Sequence, residues 1–175
     1  MGDPKKIRKK YTPPSHPWQR ARIESEKVLV QEYGVKNKKE IWKMDALLRS
    51  IHSQAKGLIT ATSIQSNQEK QNLLKKLQRY GLVGAEATID EILGLTLHHV
   101  MNRRLQTIVV KKGLAKTVTQ ARQMITHKHI AVGEKKISSP SYLVTLEEEG
   151  MISYAPGSAF SNPEHAERTA MHAKA

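Results

Sequence analysis

The chain has 175 residues, a formal net charge of +13 and a sequence pI of about 10.0. This length allows one or two small domains but not a large enzyme, and the absence of cysteine excludes disulfides and thiolate chemistry. No apolar run approaches the roughly 18–20 residues of a membrane span, and no hydrophobic segment follows the N-terminal charges, so we expect neither a membrane protein nor a secretory signal.

The positive charge predicts a polyanionic partner, because a compact chain with this excess repels itself unless a polyanion neutralises it. The excess lies mainly in residues 1–49 and 101–154, whereas residues 50–100 are nearly neutral. Nucleic acid is the expected partner, and an anionic membrane surface is the weaker alternative. Only 5% of the residues are aromatic, which favours recognition of phosphates and of RNA or duplex shape over extensive base stacking.

Residues 1–17 are predicted to form a basic, proline-rich arm. They contain little apolar surface, so in isolation they cannot offset the entropy cost of becoming ordered. We expect the arm to be disordered in the free protein and ordered along phosphates. Its candidate contacts are Lys5, Lys6, Arg8, Lys9 and Lys10.

Residues 18–100 are predicted to form a helical domain. Its first helix runs from Trp18 to Tyr33 and stops at Gly34, and Asn37 is expected to cap the second helix. Apolar residues of that second helix repeat every three or four positions and predict a buried stripe. The stripe consists of Ile41, Met44, Leu48, Ile51 and Ala55.

A polar loop is predicted over residues 60–67, and a third helix over residues 68–80 with Gly81 as its stop. The inward residues of this helix are Leu73, Leu74 and Leu77. Thr88 and Glu91 match a capping box, which predicts another short helical turn.

A single helix is next predicted from near Thr96 to a stop at Gly113. Its apolar side is Leu97, Met101, Leu105, Ile108 and Val109. His99, Arg103 and Gln106 are expected to point away from this side, with Arg104 at its edge.

A second capping box, Thr117 with Gln120, predicts a helix over residues 118–126. Its inward residues are Ala121, Met124 and Ile125. Short strand-like runs follow, separated by turn signals. They are Ile130–Val132, Lys136–Ile137, Leu143–Leu146 and Met151–Tyr154. The acidic run 147–149 is interpreted as a turn, and residues 156–175 as a flexible tail.

The helix over residues 118–126 is predicted to carry the main nucleic-acid surface. Its amino end offers unpaired N–H groups and a partial positive dipole, which suit a phosphate. Lys116 and Thr117 stand beside that end, and residues 127–129 extend the line of donors beyond the other. The side chains opposite the apolar face are Thr119, Arg122, Gln123 and Thr126.

The motifs of common enzymes and metal sites are missing from the sequence. Gly-rich phosphate loops, GxSxG and HExxH are absent, and no paired carboxylates occur in an apolar setting. The histidine pairs 98–99 and 127–129 lack helical ligand spacing and cysteine partners, so no metal site is expected.

The segment GLAKTVTQARQMITHKHIAVGEKKISSPSYLV resembles the S4 RNA-binding domain. The segments YTPPSHPWQRARIESE and NRRLQTIVVKKGLAKT resemble the archaeal and eukaryotic branch of the small-subunit ribosomal protein S4 family. The similarity spans about residues 8–155. Val132-Gly133-Glu134 replaces the Asn-Gly hairpin of many such domains, and the cysteine zinc site of some bacterial members is absent.

The resemblance implies an α+β fold with an N-terminal arm, a helical domain over 18–100 and an αL-type RNA-binding domain over 101–155. It implies a cytoplasmic, non-enzymatic protein that is a primary binder of small-subunit ribosomal RNA and nucleates assembly of the subunit body. It further implies contact with neighbouring ribosomal proteins including S5, and a contribution to translational accuracy near the place where mRNA enters. Neither a cofactor nor a homo-oligomer is expected.

The candidate RNA contacts outside the arm combine the charge pattern with this resemblance. They are Trp18, Arg20, Arg22, Arg103, Arg104, Lys111, Lys112, Lys116, Thr117, Gln120, Arg122, Gln123, Thr126, His127, Lys128 and His129.

Two other functions compete with this interpretation. An RNA-modifying or aminoacylating enzyme, or an accessory factor of RNA modification, could use the same small domain, but residues 1–100 lack catalytic and nucleotide-binding signatures. A nonspecific binder of duplex nucleic acid is the other alternative. A-form RNA with junctions suits a rigid edge that recognises shape and 2′-hydroxyl groups better.

Overall fold

The computed structural model describes residues 9–61, 63–162, 164, 165 and 168. Over these residues the chain is α+β, as predicted, with eight α-helices and one three-stranded antiparallel sheet. Three candidate contacts of the arm, Lys5, Lys6 and Arg8, lie outside the described residues. Among the described helices, none is long and apolar enough to cross a membrane.

The first two helices form as the sequence predicts. Helix α1 is Arg20–Tyr33 and α2 is Lys38–Thr60. Gly34 ends α1 in the left-handed region at φ 55°, and its N–H donates to the Val30 carbonyl. The predicted apolar stripe of α2 is buried in full. Asn37 precedes α2, but its side chain makes no capping hydrogen bond.

The predicted loop over residues 60–67 is wrong, because helix α3, Ile64–Arg79, begins inside it. The Ser63 side chain accepts from the Ser66 N–H at 3.1 Å, and the buried Ser66 hydroxyl donates to the Ser63 and Ala61 carbonyls. Serine and threonine here cap a helix rather than form a loop.

The predicted helix between Thr96 and Gly113 is in fact two helices, so that prediction is also wrong. Helix α4, Ile89–Leu93, has the predicted capping box, and α5, Leu97–Asn102, is followed by a break before α6, Leu105–Lys111. The break occurs because residues at 103–105 pair with a distant segment. The Leu105 N–H donates to the Tyr142 carbonyl at 2.8 Å, and the Val144 N–H donates to the Arg103 carbonyl at 3.0 Å.

Helix α7, Val118–Thr126, leads into the sheet. Strand β1, Ile130–Val132, lies between β2, Lys135–Lys136, and β3, Ile152–Tyr154. The run predicted as a strand over 143–146 is not one, and the acidic run is not a turn. Instead helix α8, Leu146–Gly150, forms there, because Thr145 and Glu148 make a capping box.

The buried apolar residues form two clusters. The first extends from Tyr33 to Met101 and the second from Leu105 to Ile152. On this basis we propose a helical domain over residues 18–100 and a second domain over 101–155. Phe160, in the 3-10 turn Ala159–Ser161, packs against the second cluster, so the start of the predicted flexible tail is folded onto that domain.

Candidate nucleic-acid interface

The amino end of α7 is capped by its own side chains. The Thr117 hydroxyl accepts from the Gln120 N–H at 3.1 Å. The Gln120 side-chain oxygen accepts from the Lys116 N–H at 2.8 Å, one residue earlier than a capping box requires. The two bonds hold Lys116 and Thr117 at the start of the helix, where both are exposed.

The carboxyl end of α7 closes in a Schellman motif. The Lys128 N–H donates to the Ile125 carbonyl at 3.0 Å, and the His129 N–H donates to the Met124 carbonyl at 2.9 Å. Lys128 occupies the left-handed position of this motif at φ 62°, where glycine is usual. The strained backbone and an exposed side chain make Lys128 a candidate functional residue.

We define the α7 edge as the exposed residues Lys116, Thr117, Gln123, His127 and Lys128. Among the described residues, no carboxylate forms an ion pair with either lysine of this edge. Thr126, another predicted site residue, is also exposed. We leave it out of the α7 edge because its hydroxyl donates to the Arg122 and Gln123 carbonyls of its own helix.

Arg104 and Arg122, two of the predicted RNA contacts, are not part of this edge. Both pair with Glu40 of α2. The Arg122 guanidinium donates to the Glu40 carboxylate at 2.7 Å, and Arg104, only 1% exposed, donates to its other oxygen. One carboxylate thus joins the helical part of the chain to two points of the second domain.

Gln106 belongs to the same internal network rather than pointing away as predicted. Its side chain is 1% exposed, and its amide donates to the Gly34 carbonyl at 3.1 Å and to the Val118 carbonyl at 2.8 Å. The first bond ties Gln106 to the residue that ends α1, and the second ties it to the first residue of α7. We call Glu40, Arg104, Gln106 and Arg122 the docking network.

The electrostatics of Glu40 follow from this placement. Burial alone would raise the pKa of its carboxyl group, but the hydrogen bonds and charges of Arg122 and Arg104 outweigh burial and lower the pKa below its ordinary value. Glu40 therefore stays ionised at neutral pH, which keeps both guanidinium groups paired.

The remaining predicted cations of the second domain lie near Glu149. Arg103 pairs with the Glu149 carboxylate at 2.7 Å and donates to the Val144 carbonyl. Lys112 donates to the Glu149 carbonyl, and Lys111 lines a cavity with Arg103 and Glu149. These three cations form a group around α8, separate from the α7 edge, and Arg103 is paired there with Glu149.

The predicted contacts near α1 have different surroundings. Trp18 is 91% exposed, and Arg20 forms an exposed pair with Glu24. Arg22 does not face outward freely, because it pairs with Glu26 and donates to the Pro17 carbonyl at 2.7 Å. The arm residues Lys9 and Lys10 are exposed.

Glu26 is a second buried carboxylate that organises cations. Burial would raise its pKa, but hydrogen bonds from Trp42, Lys38 and Arg22, with the charge of Lys38, lower it below its ordinary value. This pairing anchors the start of α1 against α2.

The described residues contain no group of three His, Asp or Glu side chains that could hold a metal ion. His127 and His129 do lie near each other, with ring centroids 6.4 Å apart. His129 bonds the Ser158 hydroxyl at 2.9 Å through Nδ1.

Three features escaped the sequence analysis. Lys135 and Lys136 are exposed on the edge strand β2, where their charge could have marked them as candidate contacts. Phe160 was assigned to a flexible tail, although it is the only phenylalanine of the chain. Glu40 gave no signal, because its two partners lie 64 and 82 residues away.

Comparison with known proteins finds a matching domain family and similar full-length proteins. A family model described as the S4 domain matches residues 103–149. The chain is similar along 97% of its length to proteins called small ribosomal subunit protein uS4. The relative from Methanococcus maripaludis (strain C7) is 50% identical over 171 residues, and that from Methanococcus aeolicus is 51% identical over 170 residues. In both cases 96% of the relative is covered.

Proposed function

Since the chain belongs to the uS4 family of small ribosomal subunit proteins, we propose that it is a structural constituent of the small ribosomal subunit that binds ribosomal RNA through the α7 edge. The proposal is of a structural protein and not of an enzyme. The α7 edge lies within the residues that match the S4 domain, an RNA-binding domain. In this role the protein works in the cytoplasm, where it contacts neighbouring ribosomal proteins.

One observation carries the proposal. The arginines of the second domain are neutralised by glutamates, whereas Lys116 and Lys128 are exposed and form no ion pair with a described carboxylate. Free ammonium groups at both ends of a rigid helix can replace the counterions of phosphates. The Thr117 hydroxyl and the N–H groups of the first turn other than that of Gln120 add hydrogen-bond donors beside Lys116.

The docking network supports a role in assembly. Glu40 fixes the second domain on the helical part of the chain, so RNA segments held by the two parts would be held at a fixed angle. Fixing that angle lowers the entropy cost for proteins that bind later. We therefore propose that the protein is a primary binder that nucleates the subunit body, with S5 as a neighbour, and that it supports accuracy close to the incoming mRNA.

The RNA contact can be tested by filter binding. The probe is full-length small-subunit ribosomal RNA of Methanococcus maripaludis, transcribed in vitro and free of other proteins. The double variant Lys116→Gln, Lys128→Gln should bind more weakly. Affinity should also depend less steeply on salt: the negative slope of log affinity against log salt should shrink in magnitude by roughly 1.4–1.8, since each phosphate contact contributes about 0.7–0.9.

The matched control is Lys56→Gln, Lys75→Gln, which removes the same charge from exposed positions of α2 and α3. The control should keep the wild-type slope. An equal loss in both double variants would mean that net charge, and not the α7 edge, determines binding. Equal competition by duplex DNA would instead favour a nonspecific nucleic-acid binder.

A further inference from the structure

A cavity of about 410 Å³ opens between the carboxyl end of α7 and the C-terminal 3-10 turn. Its wall is formed by Gln120, Gln123, Met124, His127, His129 and Phe160. The cavity thus begins on the α7 edge and extends beyond the residues that match the S4 domain, to Phe160 in the segment predicted to be a flexible tail.

The far wall of the cavity is held in place by specific contacts. The Ala155 N–H donates to the His129 carbonyl at 2.8 Å, and the Ser158 hydroxyl bonds His129 Nδ1 at 2.9 Å. The Phe160 ring meets the His129 ring edge to face, with centroids 5.1 Å apart, and stacks on Tyr154 at 6.2 Å. Phe160 is therefore a fixed part of the wall.

The chemistry of the wall is unlike that of a phosphate site. Three of the six lining residues carry flat rings, Met124 is apolar, and no lining residue is a lysine or an arginine. Gln123 is exposed, and its amide carries both donors and an acceptor. Flat rings with an adaptable amide match a flat heterocycle whose edge holds donors and acceptors.

Unpaired bases of RNA are recognised in this manner, by stacking on aromatic or histidine rings and by hydrogen bonds to their edges. We propose that this cavity receives one unstacked nucleobase of the ribosomal RNA, with the exposed His127 ring as its stacking surface and the Gln123 amide as its edge partner. The inference rests on the proposed function and deepens it, because Lys128 directly follows His127 and is exposed for a phosphate of the same strand.

The test uses the full chain and the same ribosomal RNA transcript. His127→Ala should weaken binding about fivefold to a hundredfold, the range expected for the loss of one base–ring stack, with an unchanged salt slope. His127→Phe should restore most of the affinity, because a benzene ring stacks without charge. Gln123→Ala should weaken binding, whereas Gln71→Ala, which truncates an exposed amide on α3, should not.

The outcomes separate this proposal from the one it rests on. Rescue by His127→Lys and not by His127→Phe would assign a phosphate to this position and overturn the nucleobase site. Unchanged affinity in both His127→Ala and Gln123→Ala would overturn it as well. In either case a reduced salt slope of the Lys116, Lys128 double variant would still uphold RNA binding by the α7 edge. Thermal unfolding of each variant confirms that the exposed substitutions leave the fold intact.

Discussion

The arginines and the lysines between residues 103 and 154 have different surroundings. All three arginines pair with glutamates, Arg103 with Glu149 and the other two with Glu40, whereas all six lysines are exposed. The guanidinium group is planar and weakly hydrated, so it suits partly buried carboxylates, while the hydrated ammonium group is a mobile point charge at the surface. The difference teaches that a basic sequence can use its arginines to hold the fold while its lysines stay exposed, which is where we propose that RNA binds.

The structural role of the arginines is tested most strongly at Glu40, the carboxylate that Arg104 and Arg122 share. Glu40→Gln leaves both guanidinium groups without a counter-charge, so the free energy of unfolding at pH 7 should fall by about 3 kcal/mol. Urea unfolding measures the loss. The exposed pair of Arg20 and Glu24 provides the control, because Glu24→Gln should cost about 0.5 kcal/mol or less.

The same variant has a defined dependence on pH. The pKa of Glu40 is lowered in the folded protein, so its stabilisation is present above the ordinary value of 4.5 and is lost as the pH falls through the lowered value. The difference in the free energy of unfolding between wild type and Glu40→Gln should therefore shrink below about pH 4.5. A constant difference down to the acid transition would show that the carboxylate charge does not stabilise the docking network.

The next largest effect is expected at Gly34, where the docking network meets the end of α1. A Cβ at this position would lie 3.0 Å from Gln106 Nε2 and 3.1 Å from Val118 Cβ, at a φ of 55°. Gly34→Ala should destabilise the fold by about 2 kcal/mol, since strain in the left-handed region and the close contacts act together.

Gly57 is the matched control for this substitution. It lies within α2, and a Cβ there would meet nothing within 4 Å. Gly57→Ala should stabilise the protein by about 0.5–1 kcal/mol, because alanine favours a helix over glycine. Thermal denaturation of the two variants should give shifts of opposite sign, and equal shifts would contradict a close contact at Gly34.

The smallest effect on stability, but a clear effect on binding, is expected at Lys128. Lys128→Gly removes a side chain from a left-handed position, so the free energy of unfolding should be unchanged or higher by up to about 1 kcal/mol. Binding of the ribosomal RNA transcript should weaken, with a salt slope lower by about 0.7–0.9. Wild-type binding by this variant would remove Lys128 from the α7 edge.

The sequence was sufficient for features that depend on neighbouring residues. The stripe of α2, the stops at Gly34 and Gly113 and the caps at Thr88 and Thr117 are all confirmed. Each of them follows from a spacing of three or four residues or from the freedom of glycine to adopt positive φ.

Features that depend on distant residues were missed or misjudged. Residues 96–113 have the pattern of one helix, but backbone pairing with Tyr142 and Val144 breaks it at residues 103–105. Helical periodicity correctly placed Arg122 opposite the apolar face of α7. It could not show that Arg122 forms an ion pair there with Glu40 of α2. A pattern along the chain gives the direction of a side chain and not the identity of what it meets.

The shared carboxylate also limits how the second domain can be used apart from the rest of the chain. A fragment containing only residues 103–154 would keep Arg104 and Arg122 but lose Glu40, so two guanidinium groups would be left unneutralised at its surface. Such a fragment would attract polyanions indiscriminately and would lose the hydrogen bond between the Gln106 amide and the Gly34 carbonyl. A graft of this domain onto another protein would therefore need an acidic side chain supplied by its new host.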